Sequence, residues 1–134
     1  MAPAISERLE VRAPEDVVII RQRVRDLADK RGFKLVDQTK IVTAASELAR
    51  NAIVYGGGGT ALIEVIEKNG KTGLRVTFED HGPGIADIEL AMKDGYTTGG
   101  GLGLGLSGAK RLCNDFDIFS KPGEGTRVSI TRWR

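Results

Sequence analysis

Apolar positions along this chain change period several times, and each change marks a new element. In "SERLEVR" Leu9 and Val11 alternate with charged residues, which predicts a first strand over 6–12. The period then lengthens, and Val17, Ile20, Val24, Leu27 and Ala28 form one stripe at helical spacing. Pro14 suits the first turn, and Glu15 and Asp16 suit the positive end of the dipole. Gly32, following Lys30 and Arg31, closes this helix. A second stripe of Ile41, Ala45, Leu48, Ala52 and Tyr55 predicts a helix over 37–55, which the four glycines 56–59 stop. Strand alternation returns over 60–68 and 72–80, on either side of the hairpin-forming pair Asn69-Gly70. Short helices are expected over 86–93 and 105–115, and 116–121 and 126–133 flank "PGEG" as a closing hairpin. The fold class is therefore α+β: a two-layer sandwich, with helices covering one face of a mainly antiparallel mixed sheet of about five strands.

Bulk properties narrow the function classes. The 134 residues suit a single domain over 1–134, and the chain is 40% hydrophobic and 28% charged, an ordinary globular balance. A formal charge of +2 without any long Lys/Arg run argues against nucleic acid as the main partner. No apolar run approaches bilayer length, and "MAPAISERLE" has no signal-peptide core, so no membrane partner is expected. The single cysteine, Cys113, cannot form an internal disulfide, so a reducing cytoplasm is expected. Cys113 follows the apolar pattern of its helix and reads as core. Trp133 reads as packing at the end of the last strand.

Chemistry concentrates in three segments. "TTGGGLGLGLSG" (97–108) is half glycine and runs into a helix start. It is not a P-loop: "GKT" occurs at 70–72, but Val65 stands where that motif needs glycine, and a strand follows. Gly103-x-Gly105-x-x-Gly108 matches the dinucleotide spacing without the strand that should precede it. The V-A-I-K, H-R-D and D-F-G motifs of eukaryotic-type protein kinases are absent. Taken alone, the ribbon is either a backbone cradle for an anion or a surface loop without a ligand. Glu47 and Asn51 lie at i and i+4 on the second helix, flanking its apolar stripe. They suit activation of a water or hydroxyl beside a hard cation, or they are a solvated carboxylate and a surface amide. Arg50 projects elsewhere on this reading. Asp80 ends a strand just before "HGPGI", either as an acceptor for a ligand amino group such as that of adenine, or as a turn former.

Four boxes occur in one order: "ELARN" (47–51), "DHGPG" (80–84), "GGGLGLGL" (99–106) and "GEGT" (123–126). Together they resemble the GHKL, or Bergerat-fold, ATP-binding family. The resemblance implies ATP and Mg²⁺ as ligands. It implies Asn51 as the Mg²⁺ ligand and Glu47 as the general base. Asp80 would bind the adenine amino group, assisted through water by Thr126, with Gly82 and Gly84 shaping the adenine pocket. Gly101, Leu102, Gly103, Leu104, Gly105 and Leu106 would form a lid whose N–H groups meet the phosphates. No cation occurs at 97–108, so Lys110 and Arg111 are the candidates to steady the γ-phosphate. The only histidine, His81, lies inside the adenine box, which disfavours a histidine kinase.

A stand-alone domain of this kind is similar to the bacterial serine/threonine kinases of partner-switching modules, and within them to the stressosome type. The resemblance implies phosphorylation of STAS-domain proteins, then activation of a PP2C-type phosphatase, and it allows a homodimer. Two alternatives remain open: an anti-sigma factor kinase that sequesters a sigma subunit, and a non-catalytic ATP-gated binding module.

Overall fold

The computed structural model describes residues 5–85, residue 92 and residues 106–134. The expected helix over 86–93 and the ribbon up to Gly105 therefore lie outside the described residues, Met92 excepted. The elements are β1 (Ile5–Val11), α1 (Pro14–Lys30), α2 (Leu35–Val54), β2 (Gly59–Lys68), β3 (Lys71–Asp80), α3 (Leu106–Leu112), β4 (Asp115–Lys121) and β5 (Gly125–Trp133). The sheet order is β1-β2-β3-β5-β4, with all four pairings antiparallel.

Local chemistry explains where the elements start and stop. At the head of α1 the Asp16 carboxylate accepts hydrogen bonds from the N–H groups of Arg12 (2.9 Å) and Ala13 (3.0 Å), satisfying donors the helix leaves open. These two bonds hold the Asp16 carboxyl below its ordinary pKa. Between β2 and β3, Asn69 (φ 53°) and Gly70 (φ 78°) both take the left-handed conformation that a tight hairpin of two residues requires. Lys68 then pairs with Lys71, and this turn sets the register of the whole β2–β3 ladder.

All three described helices are on one side of the sheet. Alternation puts Leu74, Val76 and Phe78 of β3 on that side, with Ala61, Ile63 and Val65 of β2 and Val128 and Ile130 of β5. They meet the α1 stripe Val17, Ile20, Val24, Leu27 and Ala28, every member of which is buried. From α2 come Ile41, Ala45, Leu48 and Ala52. Tyr55 departs from the expected stripe: it caps α2 and remains 38% exposed. The opposite face of the sheet carries Arg75 paired with Glu64 at 2.9 Å and Thr77 bonded to Ser129 at 3.0 Å. Trp133 packs on this face over Gly73, where any Cβ would come within 2.7 Å of the indole.

One side chain ties the helical layer to the last strand. Arg132 of β5 donates to Asp37 Oδ1 through Nε (3.0 Å) and Nη2 (2.7 Å), and to the Leu112 carbonyl at the end of α3 through Nη1 (3.0 Å). It thereby fixes α3 against the first turn of α2. Cys113, just beyond α3, packs against the core as expected, and burial pushes its thiol up to about 12.

Candidate functional site

At the end of β3, bare glycine backbone packs closely against a carboxylate. Asp80 is cross-strand neighbour to Gly59 of β2 and to Thr126 of β5. Its Oδ1 accepts a hydrogen bond from Gly82 N–H at 3.0 Å, which turns the chain sharply as the strand ends. Gly56 lies flat against the same carboxylate: a Cβ there would fall 2.6 Å from Asp80 Oδ2. A Cβ on Gly82 would fall 2.6 Å from Gly56 Cα. Gly84 (φ +77°) and Gly125 (φ +101°) need the left-handed region as well as the space, since their Cβ atoms would strike Lys121 and the Asp80–His81 backbone. The result is a half-buried carboxylate walled by bare backbone, a surface suited to a flat ligand.

Alternation sets three oxygens in a row across β3, β5 and β4: Asp80, Thr126 and Ser120, each paired in register with the next. Thr126 Oγ1 and Ser120 Oγ are 2.8 Å apart, and Ser120 also donates to the Gly125 carbonyl (3.0 Å) and accepts from Ile85 N–H (2.7 Å).

The second half of the site comes from α2. Glu47 and Asn51 are both half-buried on one side of that helix, as their spacing requires. The Asn51 carbonyl accepts hydrogen bonds from Tyr55 N–H (2.9 Å) and Gly56 N–H (3.3 Å). The end of α2 thus leads through Gly56 directly onto Asp80. Arg50 does not project elsewhere: its Nη1 meets Glu47 Oε1 at 2.9 Å, an i,i+3 pair on the same face. The Glu47 side chain is 19% exposed and that of Arg50 is 54% exposed.

Of the sequence-derived candidates, the structure brings Asn51, Asp80, Gly82 and Thr126 into one connected region, with Gly84 against the β4–β5 turn. Glu47 lies one turn before Asn51. Leu106 opens α3, which packs on α2 and the core. Gly101, Leu102, Gly103, Leu104 and Gly105 are outside the described residues. Lys110 and Arg111 are both exposed in the last turn of α3, about a turn away from Leu106. The sequence reading missed Gly56, taken only as a helix stop, and Ser120, although Phe116, Ile118 and Ser120 alternate on the inward face of β4.

Chemically, this arrangement offers a proton-accepting carboxylate, an amide oxygen that suits a hard cation, and a row of acceptors beside a flat backbone wall. Among the described residues no group of three or more His, Cys, Asp or Glu gathers. A cation held here would use one protein oxygen together with oxygens of a ligand, as Mg²⁺ does with phosphates.

Residues 36–133 match the model of the family described as histidine kinase-, DNA gyrase B-, and HSP90-like ATPase. The chain is 49% identical to the serine/threonine-protein kinase RsbT of Bacillus subtilis, over 88% of this chain and 89% of that protein. It is 34% identical to the anti-sigma F factor of Anoxybacillus flavithermus, over 73% of this chain and 70% of that protein. Among solved structures it resembles the RsbU and RsbW domains of Rv1364c from Mycobacterium tuberculosis, with a TM-score of 0.66 and 20% identity, covering 99% of this chain and 34% of that one. The mycobacterial sensor histidine kinase MprB shares the fold with a TM-score of 0.57 and 16% identity, covering 96% and 97% of the two chains. The chain belongs to the histidine kinase-, DNA gyrase B- and HSP90-like ATPase family and is an enzyme of that family.

Proposed function

We propose that this chain is an Mg-ATP-dependent serine/threonine protein kinase of a bacterial partner-switching module. The observation that carries the reading is the continuity from Asn51 through Gly56 to Asp80, which joins a candidate phosphate end to a candidate adenine end. Asp80 binds the adenine amino group, with Thr126 adding an acceptor, and Gly82 and Gly84 keep the wall flat. Asn51 holds Mg²⁺, which when bound neutralises phosphate charge. Glu47 accepts the proton of the substrate hydroxyl, and the 2.9 Å contact with Arg50 orients its carboxylate. Gly101 to Leu106 give N–H groups to the phosphates. Residues 1–134 act as one domain in the cytoplasm. The substrate is a Ser or Thr on a STAS-domain protein, and the released kinase activates a PP2C-type phosphatase.

The kinship with RsbT supports this module. The anti-sigma F relatives support a second reading, in which the same site phosphorylates the antagonist of a bound sigma factor. Pull-down from a lysate, with radiolabelled ATP added to the captured partner, separates them. Recovery of a labelled STAS protein without a sigma factor supports the first reading, and co-recovery of a sigma factor supports the second. No label in any partner, with ATP still bound, would count against both readings of the substrate.

A further inference from the structure

Counting protons on three hydroxyl contacts assigns a role to a residue outside the four boxes. A serine hydroxyl has one proton to donate and two lone pairs to accept with. Ser120 Oγ lies 2.7 Å from Ile85 N–H, which can only donate, so one lone pair is taken. It lies 3.0 Å from the Gly125 carbonyl, which can only accept, so its proton is taken. With that proton on Gly125, one lone pair is left for Thr126 Oγ1 at 2.8 Å, a contact in which either hydroxyl could donate, and Thr126 is then the one that does. The Thr126 proton then points towards Ser120, and both of its lone pairs are left for the Asp80 side. An ionised Asp80 is also acceptor-only, and Oδ1 already receives Gly82 N–H.

We propose that Ser120 is a specificity-determining positioning residue: by fixing the direction of the Thr126 hydroxyl it makes this part of the site select a purine with a 6-amino group over one with a 6-oxo group. The inference rests on the reading of Asp80 as the base-binding residue. An amino group offers protons to a wall of acceptors. A 6-oxo group meets only lone pairs there, directly or through a shared water, so such a purine can offer this wall only its N1 proton. Without Ser120 the Thr126 hydroxyl rotates freely and can donate to an oxo group.

The test compares ATP with inosine triphosphate, which carries a 6-oxo group and a proton on N1 in place of the 6-amino group and bare N1, by calorimetry with Mg²⁺ present. Ser120→Ala should lower the ratio of ATP to inosine triphosphate affinity by about fivefold to tenfold, the scale of one hydrogen bond. Ser120→Thr, which keeps the hydroxyl, should restore the ratio, and in a Thr126→Val background Ser120→Ala should leave it unchanged. Both nucleotides weakening equally in Ser120→Ala would overturn the inference, leaving Ser120 only as the anchor of Ile85. If Ser120→Ala does not fold, Ser120→Cys carries the same comparison, because a thiol is a weak donor and acceptor. A wild-type chain that binds neither nucleotide sinks the adenine reading, and this inference with it. A wild-type chain that binds ATP while the variant ratio stays fixed sinks this inference alone.

Discussion

Replacing Asp80 by Asn tests the proposed adenine end of the site with the smallest available change. The two side chains are nearly isosteric, so the wall formed by Gly56 and Gly82 has no reason to move. Asp80 Oδ1 is committed to Gly82 N–H at 3.0 Å, and an asparagine oxygen keeps that bond. Its NH₂ group must then take the Oδ2 position, beside Gly56. A donor now faces the amino group of the base where a charged acceptor stood. The loss is one hydrogen bond to a charged group, about 1.5–3 kcal/mol. At 1.4 kcal/mol per tenfold, that weakens ATP binding by about 10- to 150-fold. The flipped amide is no escape, because it would set NH₂ against the Gly82 N–H and forfeit the turn. Calorimetry with Mg-ATP measures the affinity, and circular dichroism checks that the variant is folded. A folded Asp80→Asn chain with wild-type ATP affinity would refute the assignment of this carboxylate to the base.

Glu47→Gln should retain Mg-ATP binding and lower phosphotransfer by ~10²-fold or more, the general-base scale, measured with radiolabelled ATP and a captured substrate. Asn51→Ala should lose the Mg²⁺-dependent part of nucleotide binding, read by titrating ATP with and without the metal. Arg132→Met strands the Asp37 carboxylate, and with the two side chains only 15% and 18% exposed, urea unfolding should show a loss of about 3 kcal/mol, the low end for a broken buried pair. Adding Asp37→Leu should recover most of that loss. The Cys113 thiol is raised to about 12 when folded, so the unfolded chain ionises first and stability should fall as pH rises from the ordinary thiol range towards 12. Asp16 has the opposite sign: its depressed pKa contributes stability above the ordinary carboxylate range that is lost as pH falls through the folded value, which acid titration of Asp16→Asn against wild type should show.

Periodicity alone placed the helical layer, because a helix that buries one stripe must repeat it. Every residue expected in the α1 stripe is buried. Tyr55 departs from the stripe at the C-terminal cap, one residue past the end of α2, where it remains exposed. Asn69-Gly70 gave the register of the central hairpin, since both residues accept positive φ and few other pairs do. Side-chain contacts between nearby helical residues were less legible. Arg50 is long and flexible, and its choice of Glu47 depends on rotamers that spacing does not fix.

The site shows the same division at finer scale. The grouping of Asn51, Asp80, Gly82 and Thr126 was legible from residue type: a carboxylate, an amide, a hydroxyl, and a glycine where a side chain cannot fit. Gly56 hid in plain view because four glycines after a helix look like a stop signal, whereas what forbids a side chain there is the Asp80 carboxylate, contributed by a strand much later in the chain. Ser120 hid for a different reason. A serine at an inward strand position is ordinary, and nothing in its neighbours "IFSK" announces a function. What marks it is three partners on other segments (Ile85, Gly125 and Thr126), of which the Ile85 N–H can only donate and the Gly125 carbonyl can only accept. Residue type can disclose which groups meet a ligand. Which way a hydroxyl points is decided by the fold, and on the reading proposed above that direction would turn a threonine able to meet either purine into one that presents only acceptors.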